Sequence, residues 1–294
     1  MIDSPMAAGR GGLVANSPQG WIGNAAMAGG KAYAMISSGL LHYRLLGPRD
    51  GPPVLLIHQT PWSMAQYAGV QPVLAEQGFL AIAPDTPGYG MSDPPRCQPT
   101  VPDYARFMIE LLDHLGIARC VVAGHHTGAV VAACLAVRYP DRIAGVVMHG
   151  AAAFSAEERR ERLSHAPYER ALRADGSHLA ERFSRIYAAT DQTPDNLVTT
   201  NWSTLCFFMC GAADVAYAAV FSHDGLADLR DIAVPALILT DERDGLHPYD
   251  LVASRMRPDI PMVVFSGNSA HAFMNEPARW AAIVGEFARQ CLGQ

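Results

Sequence analysis

With 294 residues, half of them hydrophobic and only 17% charged, the chain holds enough apolar material for one large α/β domain. A formal net charge of -6 removes any electrostatic case for nucleic acid or an anionic membrane surface, and no apolar run reaches the roughly 18 residues of a membrane span. The six cysteines are scattered through apolar surroundings, as expected of reduced core thiols in a cytoplasmic protein.

Residues 1–30 are Met, Ala and Gly with few large apolar side chains, and read as a loose arm anchored by Trp21 and Ile22. They contain no continuous apolar segment behind a basic start, so a secretory leader is not expected. Lys31 to Ser38 and Leu40 to Leu46 read as two short strands, and Gly47 to Pro52 as a turn. Pro53 to His58 is an apolar run too short for a helix, which suits a strand buried on both faces. Met64 to Gln77 is expected to be helical, Phe79 to Pro84 a strand, and Val101 to Gly116 an amphipathic helix with Phe107, Leu111, Leu112 and Leu115 on one face.

The stretch Val121-Val122-Ala123-Gly124-His125-His126-Thr127-Gly128-Ala129 organises the rest. A buried strand turns sharply into a helix of small residues, and two glycines spaced G-x-x-x-G leave room for a strained turn that lifts His126 out at the top of a sheet. Ile143 to His149 is the next strand. From about Ala152 to Asp231 the strand rhythm lapses into charged, helix-like sequence with aromatics at Trp202, Phe207, Phe208, Tyr217 and Phe221. Cys206 and Cys210 lie here one helical turn apart, but nothing nearby completes a metal-ligand set. Strands return at Pro235 to Thr240 and Pro261 to Ser266, and Glu276 to Cys291 closes the chain as an amphipathic helix.

Alternating strands and helices specify an α/β architecture, a mostly parallel sheet covered by helices on both faces. The domain reading is an arm at 1–30, a core at 31–151 and 232–294, and a helical cap inserted at 152–231. Four landmarks then carry a resemblance over roughly residues 31–292: His58-Gln59-Thr60-Pro61 after one strand, D-x-P-G-Y-G-x-S-D from Asp85, the turn at His126, and the late pair Asp244 and His271. In that order and spacing the chain resembles the α/β-hydrolase fold with a cap. In that family the raised residue of the turn is usually Ser, less often Cys or Asp; here it is His126.

The resemblance implies a general base at His271, in the loop before Glu276-Pro277, and an acid at Asp244 whose task is to accept the Nδ1–H of His271. Asp241 is the competing acid. It implies oxyanion donors from the amides of Gln59 or Thr60 and of Thr127. Whether the Gln59 side chain or only its backbone contributes stays open. Trp62 is expected as pocket wall, Thr127 as a hydroxyl off the nucleophile axis, and His125 as a buried, hydrogen-bonded structural residue. Three roles stay open for His126: nucleophile, base, or hydrogen-bond donor to a ligand. His58, His125, His126, His149 and His271 all fall near strand ends, but the spacing matches no metal-binding motif, so neither metal nor other cofactor is expected. The expected function is hydrolysis of a small, largely apolar carbonyl compound: ester, thioester, lactone or C–C bond. The alternatives are cofactor-free acid/base chemistry, as in a lyase, decarboxylase, isomerase or cyclase, and a silent ligand-binding protein. Self-association into a homo-oligomer is left open.

Overall fold

Lys31–Ile36 and Gly39–Leu46 pair as an antiparallel hairpin (β1 and β2) at one edge of the sheet. The computed structural model describes residues 30–164, 172–188, 192, 194–209, 213–267 and 271–293. The arm at 1–29, Cys210 and part of the 152–231 segment therefore lie outside the described residues. Next come β3 (Pro53–Ile57), a 3-10 turn at Met64–Tyr67, α1 (Val70–Glu76), β4 (Leu80–Pro84), α2 (Val101–His114), β5 (Cys120–His125), α3 (Thr127–Arg138) and β6 (Ile143–His149). Among the described residues five helices follow: α4 (Ala156–Ser164), α5 (Ser177–Ala188), α6 (Pro194–Met209), α7 (Ala213–Ser222) and α8 (Gly225–Asp231). The chain closes with β7 (Ala236–Asp241), α9 (His247–Met256), β8 (Met262–Phe265), α10 (Ala272–Asn275) and α11 (Pro277–Leu292).

The described strands form one eight-stranded sheet in the order β1-β2-β4-β3-β5-β6-β7-β8. Every pairing from β4 onward is parallel, and β2 joins β4 antiparallel. The apolar runs read from sequence form these central strands because each faces a helix layer on both sides. Leu55, Ile57 and Val122 point into one core with α2 and α3, whereas Val54, Leu56, Val121 and Ala123 point into the other with Tyr67, Phe273 and Trp280. Each such side chain contributes roughly 1.5–3 kcal/mol of burial.

Local chemistry sets the helix boundaries. Thr100 and Asp103 bond each other's backbone as a capping box that starts α2. The single helix expected over Met64–Gln77 is instead a 3-10 turn capped by Ser63 and then α1, with Gly69 at the join. Helix α9 was not read from the sequence; Pro248 in its first turn opens it. Between β6 and β7, α4 and α5 bury none of their residues, whereas α8 packs on α3 through the buried Leu229. The Arg162 guanidinium of α4 lies 4.2 Å above the Phe154 ring and ties that helix to the core. Among the described residues no helix is long and apolar enough to cross a membrane.

Candidate active site

The turn between β5 and α3 is as tight as its glycines suggest. A Cβ on Gly124 would stand 2.0 Å from the Gly128 carbonyl oxygen, and one on Gly128 would stand 2.1 Å from that of Ile57. His126 sits between them at φ 50°, ψ -112°, a left-handed conformation that a non-glycine residue holds at a cost of order 1–3 kcal/mol. Its amide donates to the His149 carbonyl at 2.8 Å. The raised ring is pressed over Gly150, where a Cβ would fall 2.4 Å from His126 Cδ2.

The partner of that ring is Asp244. His126 Nε2 lies 2.6 Å from Asp244 Oδ2, while Asp244 Oδ1 accepts the Leu246 amide at 2.8 Å. The sequence reading assigned this carboxylate to His271; the structure gives it to His126. The physical reason is reach, since an imidazole at the turn extends farther than a hydroxyl and meets the acid directly. Burial disfavours the charged forms of both groups, but their mutual attraction outweighs it. Asp244 is held well below the usual carboxylate range, and His126 is raised above the ordinary histidine value, helped further by Asp250 and Asp241. An ionised Asp244 fixes the His126 proton on Nε2, so the neutral ring keeps its lone pair on Nδ1. The His126 side chain is 24% exposed, open enough to meet a ligand.

His271 follows β8 and stands at the start of α10, half-buried, its ring centroid 5.4 Å from Trp62 and 5.5 Å from Phe273. Burial pushes its pKa down to about 4, with the nearby His126 adding to the effect and Asp244 opposing it. It is therefore neutral near pH 7. Trp62 is buried beside it.

Two of the expected oxyanion donors, the Gln59 and Thr60 amides, are engaged within the protein. The Gln59 amide donates to Gln66 Oε1 at 3.0 Å, and the Thr60 amide to Thr127 Oγ1 at 2.7 Å. The Thr127 hydroxyl in turn donates to Thr60 Oγ1 at 3.0 Å, so it is a clamp between two loops. The Thr127 amide lies in the first turn of α3, where a helix leaves its N–H groups without intrahelical acceptors. Tyr217 of α7 donates its hydroxyl to the Thr60 carbonyl at 2.8 Å and stacks on Phe221. Phe207 and Phe208 pack instead against Arg182 and His178 of α5, and Trp202 is half-buried.

Asp241 is committed elsewhere. Trp280 donates its indole N–H to His149 Nδ1 at 3.1 Å, which places the His149 proton on Nε2, from where it bonds Asp241 Oδ2 at 2.9 Å. Asp241 also accepts the Ala272 amide. His58 has its Nε2 on the Thr86 amide and its Nδ1–H on the Gln59 carbonyl. Asp85 accepts from His42 and from the amides of Met64 and Met91, so this buried carboxylate of the D-x-P-G-Y-G-x-S-D stretch holds the loops together. Asp250 was missed: it is fully buried, accepts the Ala151 amide at 2.6 Å, and is pushed up to about 6 by burial. Its place in an unread helix hid it.

His125 departs from expectation. It is fully buried, as expected, but neither ring nitrogen has a hydrogen-bond partner. It stacks on His126 at 4.0 Å and 19° and meets His149 and Phe273 edge-on. Among the described residues, three groups of side chains hold their ligating atoms within 4.8 Å of one another: His125, His126 and Asp244; His125, His149 and Asp241; and Cys134, His223 and Asp228.

The sequence profile of the "alpha/beta hydrolase fold" family matches residues 52–277. A haloalkane dehalogenase of Psychrobacter cryohalolentis is 36% identical over 108 residues, covering 36% of this chain and 36% of that protein, so the match spans about a third of that relative's length. A solved hydrolase from Pseudomonas aeruginosa superposes with a TM-score of 0.71 at 21% identity, covering 88% of this chain and 98% of that one. The enol-lactonase from Burkholderia xenovorans LB400 gives 0.71 at 21% identity, over 87% and 99%. With its strand order, its strained strand-to-helix turn and this profile match, the chain belongs to the alpha/beta hydrolase fold family.

Proposed function

We propose that the protein is an enzyme in which His126, oriented by Asp244, acts as a general base on a small, largely apolar carbonyl compound, with hydrolysis of an ester or lactone as the leading reaction. The observation that carries this reading is the 2.6 Å bond from His126 Nε2 to Asp244 at the raised position of the turn. In this reading the base, which in the family's acyl-transferring members serves a separate nucleophile, stands in the nucleophile's own place, with Asp244 orienting it. His126 Nδ1 takes a proton from water, the hydroxide formed attacks the carbonyl carbon, and the same ring returns the proton to the leaving group. Charge developing on the carbonyl oxygen would meet the Thr127 amide and the positive end of α3. For Gln59 the side-chain amide is the donor left to offer. His271, neutral beside Trp62, would line the pocket, and the helical segment between β6 and β7 would cap it, with Tyr217 as a direct tie to the site loop.

The engaged amides also favour a second reading: proton abstraction from substrate carbon without hydrolysis, as in a lyase or isomerase. The relatives, a dehalogenase and an enol-lactonase among them, show how widely the reactions of this fold range.

The test is turnover of p-nitrophenyl esters, lactones and enolisable ketones by wild type, His126→Gln and His126→Ala, with intact mass after acid quench. Ester or lactone turnover lost in both variants, with no adduct on wild type, supports water activation. Solvent deuterium entering a ketone without hydrolysis moves the reading to the second. A trapped acyl group on His126, or full activity in His126→Ala, overturns the proposed base.

A further inference from the structure

We propose that the outer face of α6 is the surface on which two copies of this chain associate, in an antiparallel two-fold contact centred on Asn201. The contact is independent of the role given above to His126.

A surface helix ordinarily turns its apolar side chains inward and its polar ones to water. Helix α6 does the reverse. Asn196, Thr199, Thr200, Ser203 and Thr204 recur every three or four residues on its buried face, and the hydroxyls of Thr200 and Thr204 have no hydrogen-bond partner there. Leu197, Val198, Leu205 and Met209 stand on the opposite face, each between 44% and 66% exposed. Rolling the helix by half a turn would bury those four and release the hydroxyls to water. Two contacts hold it as it is. Phe207 is buried with the Arg182 guanidinium 4.1 Å from its ring, and Thr199 donates to Met274 Sδ at 3.6 Å. An apolar stripe kept outward on a helix fixed in this way marks a surface that another body covers.

The stripe selects a second copy as its occupant. From Pro194 to Met209 the sequence carries one charged residue, Asp195, in the first turn. Two such helices meet without like-charge repulsion, and uncharged apolar surface is the composition of an interface centre. A lipid surface would find no basic side chain on α6 to hold it. Val198, Asn201 and Leu205 are spaced three and four residues apart, which is the seam of paired helices. Across a two-fold axis between antiparallel helices, the residue in the middle of the seam meets its own copy. Here that residue is the exposed Asn201, whose amide can both donate to and accept from an identical amide. Val198 of each copy then packs near Leu205 of the other, with Leu197 and Met209 toward the ends. Leu179 of the neighbouring α5, 38% exposed, widens the patch. Such a patch falls at the low end of specific interfaces, about 1,000 Å² in total, so the dimer is expected to form at micromolar concentration.

The test is sedimentation velocity of the untagged full-length protein from about 1 to about 200 µM, where wild type is expected to pass from monomer to dimer. Leu205→Glu places two like charges near the axis and should weaken the dimer at least about 100-fold. Its urea midpoint at the lowest concentration should match wild type, since that side chain is exposed in the single chain. Asn201→Asp, which keeps the shape of the side chain, decides the matter where Leu205→Glu does not fold. Met35→Glu, on the exposed strand β1, should leave the dimer unchanged. In a Cys97→Ser background, which removes an exposed thiol, Asn201→Cys should close an inter-chain disulfide on mild oxidation, faster than Val198→Cys does. Wild type that stays monomeric throughout, a dimer that Leu205→Glu and Asn201→Asp leave intact, or faster cross-linking at Val198→Cys overturns the proposal. So does a cross-link within one chain between Asn201→Cys and Trp21→Cys, which would make residues 1–29 the cover of this face.

Discussion

The His149–Asp241 and His126–Asp244 pairs use the same two side chains at the carboxyl ends of the sheet, with N···O distances of 2.9 and 2.6 Å. They differ in what else touches the ring. His149 is 1% exposed, and its second nitrogen is filled by the Trp280 indole. The His126 ring is 24% exposed and rises from a strained backbone. The first pair has both ring nitrogens satisfied and ties β6 and β7 to α11. In the second, Nδ1 is the nitrogen that the proposed reading uses as a base. An Asp–His bond alone therefore says little about catalysis; the state of the other nitrogen decides.

The sharpest break in this comparison is His126→Ala, predicted to cost roughly a thousandfold in kcat/KM on any ester or lactone that the wild type turns over. His126→Ser should not restore it, because the variant removes the base that Asp244 orients. A serine variant showing an acyl burst would place more of the hydrolytic apparatus in this fold than the geometry allows.

Asp244→Asn comes next, with a loss of about a hundredfold and a diagnostic pH shift. A base must be deprotonated, and Asp244 raises the His126 pKa, so the rising limb of kcat/KM should lie above the ordinary histidine value of about 6.5. Removing the negative charge moves that limb to lower pH. A limb that stays in place means that Asp244 does not set the basicity of His126.

The fold was legible because its signals are local and steric. Apolar runs such as Pro53–Ile57 can only be doubly buried strands, and Gly124 and Gly128 mark a turn that no side chain would fit. The gathering of His126, Asp244 and His271 followed from the order of motifs. Their pairing did not, since it depends on how far an imidazole reaches from one backbone conformation. His125 shows the same limit: its burial was readable from the strand, but the lack of hydrogen-bond partners on its nitrogens was not. The split at Gly69 and helix α9 were missed because short elements carry too few residues for a period to show.

A smaller effect is expected at Gly150. It holds φ 72°, and a methyl group there would press on the His126 ring. Gly150→Ala should lose about 1–2 kcal/mol in urea unfolding from the left-handed backbone alone. It should also lower kcat/KM by roughly tenfold as the ring is displaced. A loss of stability with full activity would mean that the ring has room to move without leaving Asp244.

The smallest effect on turnover belongs to the other pair. Trp280→Phe removes the indole N–H and leaves His149 Nδ1 buried without its donor. That should cost about 1–3 kcal/mol of stability, read from the urea midpoint at constant m-value. Turnover should change by less than about twofold, since additivity holds for groups that share no partner. His125 links the two rings, stacked on His126 and edge-on to His149. If Trp280→Phe lowers kcat/KM as far as Asp244→Asn does, coupling runs through that ring. The two pairs would then be one four-residue unit, not a scaffold standing beside a site.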